Sequence, residues 1–190
     1  MAIVMKRIGY GQVEPNHLSG IVTGQIYAQL PAQIATTTGT GDNAVTTITP
    51  IAQLEQGQFA KYDYAKGAVN FTGDGEFMLV YNEEKLYDER LQSHKDFVYK
   101  VGDFTDGKLY PRLIRTYVGD VMTTNTFSAA SSNDQEITMP VLAKNNYLAP
   151  NSNGFLEKAN SKPASGMVWK VVKIYTMPDG TPGVKIQRIQ

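Results

Sequence analysis

The chain has no cysteine. Disulfide frameworks, thiol nucleophiles and zinc–thiolate centres are therefore excluded, and folding in a reducing cytoplasm is the simplest expectation. Charge is also sparse. Asp, Glu, Lys and Arg make up 19% of residues, and 18 basic residues balance 18 acidic ones, whereas soluble domains average about 25% charged residues. A nucleic-acid partner is not expected, because neutralising phosphates requires a basic excess. Long apolar runs are missing, and none approaches the ~18 residues of a membrane span. The opening MAIVMKRIGYGQ places Lys6 and Arg7 after its short apolar stretch, the reverse of a signal peptide. The expectation is a soluble protein with no membrane partner, made in a cytoplasm.

Groups that carry chemistry are scarce. The two histidines, His17 and His94, stand apart from each other and from carboxylate clusters, so neither metal nor cofactor is expected. There is no Gly-x-Ser-x-Gly elbow and no Ser-x-x-Lys arrangement. GTGDNA (39–44) matches the dinucleotide glycine fingerprint in letters only, since threonines precede it and strand-like VTTIT follows. The acidic groups Asp74–Glu76 and Asp103–Asp106 contain or abut turn glycines and read as turns. The chain is read as a non-enzyme with no catalytic, cofactor or metal residues.

What the sequence does hold is turn punctuation and strand-like runs. Lys66-Gly67, Asp74-Gly75, Asp106-Gly107, Asn153-Gly154 and Asp179-Gly180 separate apolar segments at Phe77–Tyr81, Phe97–Val101, Leu109–Val118, Met167–Tyr175 and Val184–Ile189. Such spacing predicts a mainly β protein, a small β-barrel or β-sandwich module or two related ones, with at most one or two short helices. Both faces of Met167–Tyr175 are expected to be covered, with Trp169, Val171 and Tyr175 on one face. The one predicted helix is Asn82–Gln92, with Asn82 as its cap. Residues 51–190 form the β domain, as one unit or as modules at about 51–120 and 121–190. AQLEQGQFAKYDYAKGAVNF (52–71) and PVLAKNNYLAPNSNGFLEKA (140–159) align Leu54 with Leu142, Phe59 with Tyr147, Gly67 with Gly154 and Val69 with Leu156, each followed by a strand, at Phe77 and Val168. Either both are hairpins that share turn glycines, or they are copies of one module.

Residues 1–31 read as an extended, glycine-broken N-terminal arm leading into a first strand at Ile21–Leu30, and residues 32–50 as a Thr/Gly-rich loop or hairpin tip. The arm carries Ile3, Met5, Lys6, Arg7, Ile8, Tyr10, Val13 and Leu18. These are the candidate partner-binding residues, with Lys6 and Arg7 as rim charges. Removing residues 1–16 is expected to leave the β core folded and weaken binding. Eleven tyrosines suit a protein that grips protein surfaces.

GEFMLVYNEEKLYDERLQSHKDFVYKVGDFTDGKLYPRLIRTYVGDVMTTNTF (75–127) and VWKVVKIYTMPDGTPGVKIQRIQ (168–190) resemble small proteins encoded near the major capsid gene of tailed phages of low-GC Gram-positive bacteria. IAQLEQGQFAKYDYAKGAV (51–69) is similar in style to capsid cement proteins. The resemblance spans about two thirds of the chain and rests on segment order. It implies a decoration or cement protein on the outer surface of an assembled phage capsid. Its partner would be the major capsid protein, it would often be a trimer, and it would have no catalytic residues. A tail or baseplate component and a surface carbohydrate-binding or carbohydrate-cleaving β domain are the alternatives.

Overall fold

The computed structural model describes residues 2–7, 9–82, 97–101, 106–127 and 137–190, with backbone only for 137–140. The predicted helix after Asn82, His94 and Asp103 lie outside the described residues, as does Ile8. In chain order the strands are β1 (Ala2–Arg7), β2 (Val13–His17), β3 (Ile26–Tyr27), β4 (Gln33–Thr38), β5 (Val45–Pro50) and β6 (Gln53–Leu54). There follow β7 (Phe59–Asp63), β8 (Ala68–Asn70), β9 (Phe77–Val80), β10 (Tyr99–Lys100), β11 (Leu113–Ile114) and β12 (Val121–Thr124). The last are β13 (Ile137–Ala143), β14 (Tyr147–Pro150), β15 (Leu156–Ala159), β16 (Trp169–Thr176) and β17 (Pro182–Arg188). Beside these stand a single turn of α-helix, α1 (Ser19–Val22), and a 3₁₀ turn at Gly41–Asn43. The protein is mainly β, as expected, and no barrel closes among the described residues. No helix among the described residues is long and apolar enough to cross a membrane.

Two antiparallel sheets carry the body. One has six strands, ordered β15-β14-β16-β17-β12-β2, and the other five, ordered β3-β11-β9-β7-β8. Their facing sides enclose a core around Trp169, Phe59, Leu79, Met122, Leu148 and Ile186. The Phe59 and Trp169 rings meet at 5.9 Å between centroids. The opposite side of the five-stranded sheet is covered too: Ala60, Tyr62, Met78 and Val80 join Leu54 and Tyr99 of the small β6–β10 ribbon in a second core. A sheet buried on both faces explains why Phe77–Val80 is an unbroken apolar run.

β16 behaves otherwise. Its pairing with β17 shifts register between Val171 and Lys173, and this bulge reverses which residues point inward. Trp169 and Val171 are buried, Val172 is exposed, and Ile174 rather than Tyr175 packs on the core. The expectation that both faces are covered is corrected by this irregularity.

The internal likeness read in the sequence extends to topology and register. β7, β8 and β9 lie in the order β9-β7-β8, and β14, β15 and β16 in the order β16-β14-β15. Phe59 pairs with Leu79 and Ala60 with Met78; their counterparts Tyr147 and Leu148 pair with Lys170 and Trp169. The hairpins match as well, with Lys61 opposite Asn70 and Tyr62 opposite Val69, against Ala149 opposite Glu157 and Pro150 opposite Leu156. Even the turn before each hairpin repeats. Gly57 and Asn145 both adopt positive φ, 84° and 71°. Their N–H groups donate to Val80 O and Val171 O, and the side-chain oxygens of Gln58 and Asn146 accept from Glu55 N and Ala143 N. Shared turn glycines alone would not reproduce register and hydrogen bonds together. Each of the two sheets thus holds a three-strand unit of the same order, register and turn hydrogen bonds, and the two pack on a common core.

The N-terminal segment is extended but it is not a free arm. β1 pairs with β13, Ile3 opposite Leu142, and β2 pairs with β12 at the edge of the six-stranded sheet. Alternation turns Met5 and Arg7 inward, both at 0% exposure, and leaves Val4 and Lys6 outside. Arg7 Nη1 lies 2.7 Å from Glu55 Oε2, itself 1% exposed, and also donates to Gly9 O. The same carboxylate oxygen accepts from Gly11 N at 2.8 Å. A Cβ on Gly11 would strike Thr126 Oγ1 and Gln56 O, so only glycine lets this segment close on the Glu55–Gln58 turn. The expected strand at Ile21–Leu30 is likewise corrected. Asp120 accepts from Ser19 N and Oγ, which fixes α1, and Gly24 at positive φ breaks the chain before the two residues of β3.

Three expectations follow, and they replace the one from sequence. Deleting residues 1–16 removes Met5 and Arg7 from the interior and unfolds the protein, lost near-native circular dichroism being the readout. Arg7→Met strands the Glu55 carboxylate and costs about 3–5 kcal/mol in urea unfolding, much of it recovered in Arg7→Met/Glu55→Gln. Lys6→Ala stays within about 0.5 kcal/mol of the parent.

Candidate functional site

Two features stand apart from the packed body. The first is the β4–β5 hairpin, which occupies the region read as a Thr/Gly-rich loop. Its six-residue strands, at about 3.3 Å per residue, make a ribbon ~20 Å long. It springs from Ala32, which is fully buried and whose oxygen accepts from Ile51 N at 3.0 Å. Gly39 and Gly41 supply the positive φ of its tip, so the apparent nucleotide fingerprint is a turn. Every residue of β5 is exposed, and so are four of the six in β4. Ile34, Val45 and Ile48 stand 45%, 61% and 57% exposed, and Asp42 is the one charge between residues 33 and 50. Cross-strand threonines hold the register, Thr37 and Thr46 hydroxyls meeting at 3.0 Å. A two-stranded ribbon is marginal in water. This one offers β-branched apolar side chains and unpaired backbone edges to whatever lies beside it.

The second feature is an open groove of about 420 Å³ on the five-stranded sheet, walled by Tyr27, Tyr62, Tyr64, Glu76 and Arg115. Tyr62 stands between the other two rings, 5.2 Å from Tyr27 and 5.3 Å from Tyr64, and tilted to both. Its hydroxyl accepts from Gln29 N at 2.8 Å and Leu30 N at 3.3 Å, which ties the strand-poor segment after β3 to the sheet. Arg115 is ion-paired with Glu76 and lies over the Tyr117 ring, and the Glu76 charge holds the guanidinium pKa above its ordinary value. Arg188 approaches the other Glu76 oxygen at 3.6 Å. The Lys66 N–H, with the Asn70 amide, holds the Asp63 carboxyl below its ordinary pKa. That carboxylate closes the β7–β8 turn.

Of the residues expected at a partner, Met5, Arg7 and Leu18 are buried inside the chain, which corrects that assignment for them. Ile3, Tyr10 and Val13 are half-buried and Lys6 is exposed; Lys100 lies over the Tyr10 ring. Among the described residues no three His, Asp or Glu side chains gather as a metal group would. The groove was not legible beforehand because Tyr27, Tyr62 and Arg115 meet only through the β3-β11-β9-β7 order. No protein-family model, curated protein or solved structure matches the chain.

Tyr62→Phe removes the acceptor of two backbone N–H groups. It is expected to destabilise the protein by about 1–3 kcal/mol in urea unfolding, with faster amide exchange at Gln29 and Leu30 than elsewhere in the five-stranded sheet.

Proposed function

We propose that the protein is a structural virion component that binds the outer surface of an assembled tailed-phage capsid and stabilises it, with the β4–β5 hairpin as its grip. The observation that carries this reading is the hairpin itself: a long, nearly uncharged ribbon, exposed on both faces, rooted in a rigid body. Such a ribbon gains most by laying its edge and its Ile34, Val45 and Ile48 side chains against another β surface, where main-chain pairing gives affinity and side chains give register. The likeness of 75–127 and 168–190 to proteins encoded beside capsid genes names the partner class, the major capsid protein. Many equivalent copies bound only to the assembled shell would shift the assembly equilibrium towards it by linkage. With the N-terminal strands committed to the body, the capsid contact expected of an arm passes to the hairpin, joined by exposed Val4 and Lys6 at most. Self-association, a trimer foremost, would arise from the same edge.

The test is a variant in which residues 34–49 are replaced by a short Gly-Ser link, which Ala32 and Ile51 are already close enough to accept. Circular dichroism and melting should stay near those of the parent. Co-sedimentation with emptied heads that lack the protein should weaken at least ~tenfold, about 1.4 kcal/mol. Ile48→Asp in the intact hairpin should act in the same direction. Undiminished sedimentation of the folded link variant would refute the proposal.

A further inference from the structure

We infer that the tyrosine groove on the five-stranded sheet is a carbohydrate-binding site for a neutral, hydroxyl-rich glycan. The inference is independent of the capsid reading, since it concerns another face of the chain and a soluble ligand.

The repeated three-strand unit supplies an internal control. At the places of Tyr62, Asp63, Asp74 and Glu76 the second module has Pro150, Asn151, Ser165 and Met167, and the turn that begins with Tyr64 is one residue shorter there, as Ser152–Asn153. The backbone pairing is the same without these side chains, so the hairpin does not require them. Asp63 is accounted for by its turn: its carboxylate accepts from Lys66 N as the Asn151 side chain accepts from Asn153 N and Phe155 N. Tyr62 is accounted for by the second core and by the Gln29 and Leu30 N–H groups it accepts from, whereas Tyr64 and Glu76 have no such role in the hairpin. Tyr64 in particular keeps 72% of its surface in water while its ring leans on Tyr62.

The composition of the groove selects the ligand class. Ring faces of Tyr27 and Tyr64 offer apolar contact to the C–H face of a sugar, and phenol hydroxyls both donate and accept. Glu76 is held by Arg115 and Arg188, so its oxygens and the Arg115 N–H groups are fixed polar points rather than loose charges. Asp63 is neutralised locally by Lys66 Nζ at 3.6 Å. With Asp63, Glu76 and Arg115 already countered, the groove has little beyond the Asp74 carboxylate to offer an ionic ligand. A groove of about 420 Å³ with aromatic walls and a few oriented polar groups is within the ordinary range of small-ligand sites. A pyranose has both surfaces such walls need, apolar C–H faces and hydroxyl edges. Trp169, the one tryptophan, is fully buried in the common core and takes no part.

The experiment uses the full chain, isotope-labelled, titrated by NMR with neutral hexasaccharides: maltohexaose, cellohexaose and chitohexaose, beside a lysine-rich and a glutamate-rich hexapeptide. The expected result is saturable shifts at residues 27, 62–64, 74–76 and 115 with at least one saccharide, and an unmoved Trp169 indole signal. Tyr64→Ala, an exposed position, should keep the parental melting temperature and weaken that saccharide at least tenfold. Glu76→Gln should weaken it too, with the fold checked by the same spectrum. No shift with any of the saccharides, binding by a peptide in their place, or binding that survives both substitutions would overturn the inference.

Discussion

A guanidinium and a carboxylate that are both withdrawn from water hold each other in place, because separating them leaves a charge in a medium that cannot solvate it. Arg7 and Glu55 are such a pair, and three stretches of chain meet at them. Arg7 ends the strand that pairs with β13; Glu55 opens the turn that starts the first β module. The Glu55 carboxylate also takes Gly11 N, and one residue on, Gln56 O takes the Thr126 hydroxyl and Gln56 Oε1 takes Asn82 N. Buried polar side chains gather here for that reason. Thr124 donates to Gln12 O, and Asn125 accepts from Gln12 N. The N-terminal segment is thereby a strap across both modules, pinned at its middle.

That constraint sets what is left for function. A strap that is part of the interior cannot also reach out, so binding falls to elements the body does not need. The hairpin is one: nothing beyond its base at Ala32 and Ile51 enters either core. The exposed part of the tyrosine groove is another, because Tyr64 and Glu76 have no counterpart in the second unit, which keeps the same register without them. The likeness of the two three-strand units has a further consequence for the core. Phe59 of the first module and Trp169 of the second fill one interior, so the modules are united although each brings its own strand order. The sequence boundary near residue 120 separates the two sheets, and β1 and β2 cross it from the N-terminal side to pair with β13 and β12.

How much could be seen in the sequence depended on the range of the interaction responsible. The β class was legible from turn pairs and short apolar runs, which act over a few residues. The module copies were visible in Leu54, Phe59, Gly67 and Val69 against their counterparts, though Gly57 and Asn145 share a backbone conformation without sharing a residue type. Arg7 was misread because Lys6-Arg7 looks like a solvated pair. Strand alternation separates them, and the partner that makes burial of Arg7 tolerable lies far along the chain. Tyr175 was misplaced for a related reason, since a bulge has no signature in an alternating run. The groove required knowledge of which strands become neighbours, which no local pattern carries.

The arm and hairpin accounts differ most directly in amide hydrogen exchange, measured on the free protein and on the protein bound to emptied heads. With β1 built into the body and the hairpin as the grip, residues 2–7 are already protected in the free protein, and residues 33–50 exchange fast until binding slows them. Fast exchange at residues 2–7 that slows on binding, with residues 33–50 unchanged, would contradict the account.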